Sequence, residues 1–181
     1  YNIASDQSSR FNAAVAASVY LNFPVLVTAQ VYLGANTTIP SNASLRNTED
    51  GYFNSPSSVT MTFSSGSRFS GNGPAFRSAV QPIFAAGTID ALRLSWFGGA
   101  DSDKWARCLA STAAAFPLLM DVSTSLTSDL TIPANLAFEP VGGAVVTFGA
   151  FASLSIASLN YAGLAQFAAW TLGSYVGSVS I

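Results

Sequence analysis

Acid–base or nucleophilic chemistry near neutral pH needs a side chain that exchanges protons there, and this 181-residue sequence contains no histidine. Its absence removes Ser-His-Asp and Cys-His arrangements, the commonest nucleophilic mechanisms. A Ser-Lys pair would have to use Lys104, the lone lysine, which sits in the run DSDKW at a helix start rather than in the apolar pocket such chemistry requires. Cys108 is the lone cysteine. Without a base to activate it, it reads as a small buried apolar residue, and one cysteine permits neither an intrachain disulfide nor a Cys-rich metal site.

Glycoside hydrolysis would take a facing pair of carboxylates from Asp6, Glu49, Asp50, Asp90, Asp101, Asp103, Asp121, Asp129 and Glu139, none of which lies in a distinctive motif. Asp101-Ser102-Asp103 opens like a calcium loop but lacks the further oxygen ligands and the closing Glu, so helix capping accounts for it better. The glycine-rich run GSRFSGNG has neither the lysine nor the following helix of a phosphate-binding loop. The sequence therefore assigns no catalytic residue, cofactor or metal ligand, and the expectation is a non-enzymatic protein. Asn36-Thr37-Thr38 and Asn42-Ala43-Ser44 match the glycosylation acceptor pattern, which makes Asn36 and Asn42 candidate acceptors if the chain enters a secretory pathway. Of the aromatics that could form a sugar platform (Trp96, Phe97, Trp105, Tyr161, Trp170 and Tyr175), most read as core. Phe97 is singled out: with Trp96 pointing inward, strand alternation puts Phe97 on the opposite face beside Arg93 and Ser95. Arg93, Ser95 and Phe97 are thus the candidate interface.

The elements that must position these residues are mostly strands. Val25 to Leu33 alternates as one strand. In SVTMTFSS, Val59, Met61 and Phe63 share a face against Thr60, Thr62 and Ser64. Leu92, Leu94 and Trp96 form a third strand ending at Gly98-Gly99, and ASLSIAS another. Residues 118–133 read as one or two short strands, and a short apolar stretch surrounds Ile83 and Phe84. Gly34 to Pro56, dense in Gly, Asn, Ser, Thr and Pro, reads as a long surface connection, and the run from Gly66 as a second loop. Helices are expected from Arg10 to Asn22, on Phe11, Ala14, Val15, Ser18 and Val19, and from Asp101 through Trp105, Cys108, Leu109, Thr112 and Phe116 to a stop at Pro117. A further helix on Leu164, Phe167, Ala168 and Thr171, then a last strand with Val176 or Val179, would close the chain. No internal repeat is legible. The expected fold is a single mainly β domain over residues 1–181 with one or two helices, as a β-sandwich or jelly roll.

Composition narrows the class of function. Hydrophobic residues are 50% of the chain and charged residues 9%, where a soluble domain carries about a quarter charged. Such an exterior, mostly Ser, Thr, Asn, Gly and Ala, suits a protein covered by copies of itself or by other subunits. The net charge of -2 and the scattered arginines Arg10, Arg46, Arg68, Arg77, Arg93 and Arg107 leave no basic patch for nucleic acid. The start at Tyr1 without methionine reads as a processed product or a fragment. Residues 140–181 carry no charge, and from Val141 to Leu159 the mean hydropathy is roughly 1.7, which raises a membrane-inserted alternative. Gly142-Gly143, the alternating serines and the missing flanking Lys or Arg argue instead for buried strands. The expected function is that of a structural subunit of a virion shell or surface, with an extracellular sandwich module binding carbohydrate or protein as the alternative.

Overall fold

A computed structural model describes residues 6–77 and 79–157, and the backbone of 178–180. It is mainly β. In chain order the elements are α1 (Ser8–Leu21), β1 (Val25–Val27), β2 (Gln30–Tyr32), β3 (Thr37–Ile39), β4 (Ser44–Asn47), β5 (Tyr52–Asn54), β6 (Val59–Phe63), β7 (Arg68–Gly71), β8 (Val80–Phe84) and β9 (Leu92–Arg93). There follow a 3-10 turn (Leu94–Trp96), α2 (Asp101–Leu109), β10 (Phe116–Met120), β11 (Thr124–Leu126), β12 (Leu130–Ile132), β13 (Leu136–Pro140), β14 (Val146–Phe148), β15 (Ser153–Ile156) and β16 (Ser178–Ser180). Residues divide into two compact units: Tyr1–Ile89 with Trp96–Gly99 and Ala110–Thr112, and Asp90–Ser95 with Ala100–Leu109 and Ala113–Ile181.

In the first unit the strands form three parallel columns, β1-β4-β7, β2-β5 and β3-β6-β8. In the second they form β9-β10-β13, β11-β14 and β12-β15-β16, again parallel throughout. Each unit is thus wound as the coil of a β-solenoid, each turn taking roughly 20–26 residues before the chain returns beside itself. This corrects the sandwich or jelly-roll expectation, because those folds pair antiparallel strands and every strand pairing among the described residues is parallel. It also supplies the repeat that the sequence does not display: the turns repeat in backbone geometry while their side chains differ.

The winding follows from where large side chains can be buried. Inward residues at equal positions of successive turns lie one strand spacing apart, so each covers the next. Leu45 stands beside Phe69 and Phe63 beside Phe84, while Phe53, Phe76 and Phe97 follow one another through isolated bridges. The rings of Phe63 and Phe84 stack at 4.9 Å, and those of Phe53 and Phe76 at 5.8 Å. All are buried. Helix α1 packs against β1 to β4 and contributes Phe11, whose ring meets Phe53 edge-on at 5.3 Å.

Several expected elements hold. Val59, Met61 and Phe63 point inward from β6 as read, Leu154 and Ile156 do so from β15, and α1 covers the expected helix, though Ala14 is exposed. Three expectations are corrected. The supposed loop Gly34 to Pro56 contains β3, β4 and β5, and the second loop contains β7, because strands of three or four residues put too few side chains inward to show a period. The single strand from Val25 to Leu33 turns a corner between β1 and β2. Helix α2 stops at Leu109: Thr112 instead donates its hydroxyl to the Phe84 carbonyl, and Phe116 opens β10 with Pro117 inside that strand. Pro117 is tolerated because the β9 pairing reaches only Leu118 and Leu119, beyond it. In the apolar stretch from Val141, the described part forms β14 and β15 rather than a helix, and no described helix is long and apolar enough to cross a membrane. The expected helix on Leu164 to Thr171 lies outside the described residues. Val179 falls in β16, beside Leu154 in register.

Candidate interaction surface

The strand carrying Arg93 ends at that residue, but across the 3-10 turn over Leu94–Trp96 the expected alternation persists, with Leu92, Leu94 and Trp96 buried and Arg93 and Ser95 half-buried; it fails only at Phe97. Arg93 and Ser95 are brought together on one acceptor, Asp121. Its carboxylate takes the Ser95 backbone N–H at 2.9 Å, the Ser95 hydroxyl at 2.7 Å and an Arg93 guanidinium N–H at 3.4 Å. Both Asp121 oxygens are committed, so the cluster ties the chain after β9 to the end of β10. Phe97 does not join it. Its ring is fully buried 6.2 Å from that of Phe76 in the first unit, so the outward, contact-forming Phe97 is corrected to a core residue. The turn, which one-dimensional alternation cannot show, adds the rotation that sends Trp96 and Phe97 both inward.

Asn36 and Asn42 are both exposed. The Asn36 carboxamide oxygen accepts the Thr60 N–H at 2.8 Å, and Asn42 holds a left-handed φ of 66° at a coil corner.

The groups with chemical potential are mostly in structural service. Cys108 is fully buried, and burial pushes its thiol far above the ordinary cysteine range, leaving almost no thiolate. Lys104 pairs with Asp101 at 3.1 Å. Burial raises the Asp101 pKa, but the Ser125 N–H at 2.7 Å and the Lys104 ammonium outweigh it, and the net shift is downward. That contact ties the start of α2 to β11. Asp129 accepts the Ser153 hydroxyl at 2.6 Å. Among the described residues no three His, Cys, Asp or Glu stand close enough to hold a metal.

Between α2 and the β11–β12 turn lies a hydroxyl-lined recess of about 200 Å³, with Ser102, Ser125, Thr127, Ser128 and Asp129 at its walls. That is below the roughly 300–1,000 Å³ of small-molecule sites, and Trp105 beneath it is too buried to offer a ring face. Its indole N–H is donated to the Thr124 hydroxyl at 3.1 Å.

The most unusual surface is one the sequence reading did not single out. Tyr20, Leu21, Phe23 and Leu26 are 88%, 57%, 69% and 56% exposed, four large apolar side chains within seven residues. The inward stripe of α1 is complete with Ser8, Phe11, Val15 and Ser18. Tyr20 and Leu21 fall off that stripe, and the exposed positions before them are Ser9, Arg10 and Asn12 and then four alanines, Ala13, Ala14, Ala16 and Ala17. The signal was present in the sequence, since a helix apolar on both faces is one that expects cover on both. Asn22 ends α1 in a left-handed conformation with its N–H on the Ser18 carbonyl, which turns Phe23 away from the coil.

No family model, curated protein or solved structure matches the chain.

Proposed function

We propose that this protein is a non-enzymatic structural subunit that works by packing against copies of itself or neighbouring subunits, in a particle shell or surface such as that of a virion. The observation that carries the reading is the exposed apolar group Tyr20, Leu21, Phe23 and Leu26 on a chain with few charges to keep copies apart. Parallel coils suit the role, since a stack of interlocked aromatic side chains resists deformation and holds its outer faces in fixed register. The carboxylates Asp101, Asp121 and Asp129, each engaged by hydroxyl, amide or cationic neighbours, fit a scaffold better than a catalyst. A composition so poor in Lys and Arg favours an outer surface over contact with nucleic acid.

Light scattering coupled to size-exclusion chromatography, on the chain without detergent and over a range of concentration, tests this. A discrete oligomer or larger particle is the expected result. A monomer at every concentration overturns self-packing and favours an extracellular module that binds carbohydrate or another protein.

A further inference from the structure

We infer that α1 is the self-association element, and that it pairs antiparallel with α1 of a second copy across a two-fold axis near Ala17. The inference rests on the self-packing reading above and names the surface that does it. Along the outer face of α1, Arg10, Ala13, Ala17, Tyr20 and Leu21 recur at helical spacing, with small residues in the middle and large apolar ones at the C-terminal end. A two-fold axis at Ala17 sets Leu21 of one copy over Ala13 of the other, so each large side chain meets the small residue that leaves room for it. Alanine at the crossing lets the helix axes approach to about 8 Å.

Charge and area agree with that partner. Arg10 is the only side chain within Ser8–Leu21 that is charged at neutral pH, so two copies bring no like charges together along the helix. In the antiparallel arrangement Arg10 reaches the carbonyl end of the partner's α1, where the helix dipole favours a cation. Aromatic side chains bury about 150–250 Å² each, so Tyr20, Phe23 and the two half-exposed leucines offer on the order of 600 Å² per copy. A stable interface takes about 800 Å² per partner, and the four exposed alanines supply the balance.

Sedimentation velocity on the full chain, with two variants and one cross-link, tests the pairing. The wild type is expected to sediment as a dimer or as a larger species built from dimers. Ala17→Glu and Tyr20→Lys, both at exposed positions and checked by circular dichroism for unchanged folding, are expected to weaken association by about 30-fold or more, as loss of an interface hot spot does. Ala17→Cys is expected to give a disulfide-linked dimer on mild oxidation, with the buried Cys108 taking no part. Association unchanged in both substitutions, with no cross-link at Ala17, overturns this interface while leaving self-packing standing. A wild type that stays monomeric, its helix face being covered by some other partner, overturns both.

Discussion

Phe76 stands at the centre of the aromatic core of the first unit, and its truncation is the sharpest test of how that coil is held. Its side chain is fully buried, and its ring lies 5.8 Å from Phe53, 6.4 Å from Phe63, 5.2 Å from Phe69, 6.0 Å from Phe84 and 6.2 Å from Phe97. Phe76→Ala loses about 2.5 kcal/mol of transfer free energy. The vacated ring leaves a cavity on the order of 100 Å³, which adds about 2.4 kcal/mol because five surrounding aromatic rings cannot all collapse into it. The sum, about 5 kcal/mol, is a third or more of the roughly 5–15 kcal/mol that holds a domain together. With a urea dependence near 2 kcal/mol per molar, the midpoint of unfolding should fall by roughly 2.5 M. Phe76→Leu keeps most of the volume and should cost about 1.5 kcal/mol. Phe151→Ala, at a side chain 92% exposed, should change stability by less than about 0.5 kcal/mol. Urea melts followed by tryptophan fluorescence report all three, since Trp96 lies in the same cluster, 5.0 Å from Phe69. A Phe76→Ala midpoint within about 0.5 M of wild type, or a Phe151→Ala loss of equal size, would refute the account of the core as a ladder of mutually covering rings.

Three further outcomes follow from the geometry. Gly51→Ala would set a Cβ 1.8 Å from the Val27 carbonyl oxygen, which already accepts the Thr48 N–H, so the corner must open at a cost of about 3 kcal/mol or more. Gly142→Ala, with a φ of 65° and open space around it, should cost only about 1 kcal/mol, and comparable thermal shifts for the two would show that the close approach at Gly51 is not rigid. The folded Asp101 carboxyl titrates below its ordinary value, so its contribution is present above the unfolded pKa and disappears as pH falls through the lower folded one. Stability measured from pH 5 down to about pH 2 should therefore fall less steeply in Asp101→Asn than in wild type; parallel curves would remove Asp101 from the acid response. Finally, Cys108 should resist a thiol-specific reagent in the native protein and react fully once denaturant unfolds it, whereas fast native reaction would contradict its burial.

How much of this was legible depends on the range of the interaction involved. The inward faces of β6 and β15, the position of α1 and the mainly β class follow from neighbours two to four residues apart, so Val59, Met61, Phe63, Leu154 and Ile156 could be placed from spacing alone. Parallel pairing could not. Alternation is identical for a strand whose partner runs either way, and here the partner lies a full turn along the chain, chosen by which large side chains cover one another: Phe63 by Phe84, Leu45 by Phe69. Strands of three residues such as β3 and β5 place one or two side chains inward, too few to register as a period, so a segment rich in Asn, Ser and Gly passed for a loop. Phe97 needed one further fact, the 3-10 turn before it, because that turn places the consecutive residues Trp96 and Phe97 both inward where strict alternation allows only one. The outer face of α1 belongs to the readable part: its alanines, Tyr20 and Leu21 could be set apart from the inward stripe by helical spacing alone. The coil then decided which stripe was used, because α1 packs on the first strands with Ser8, Phe11, Val15 and Ser18 as its buried positions and most of the helix is left to face outward.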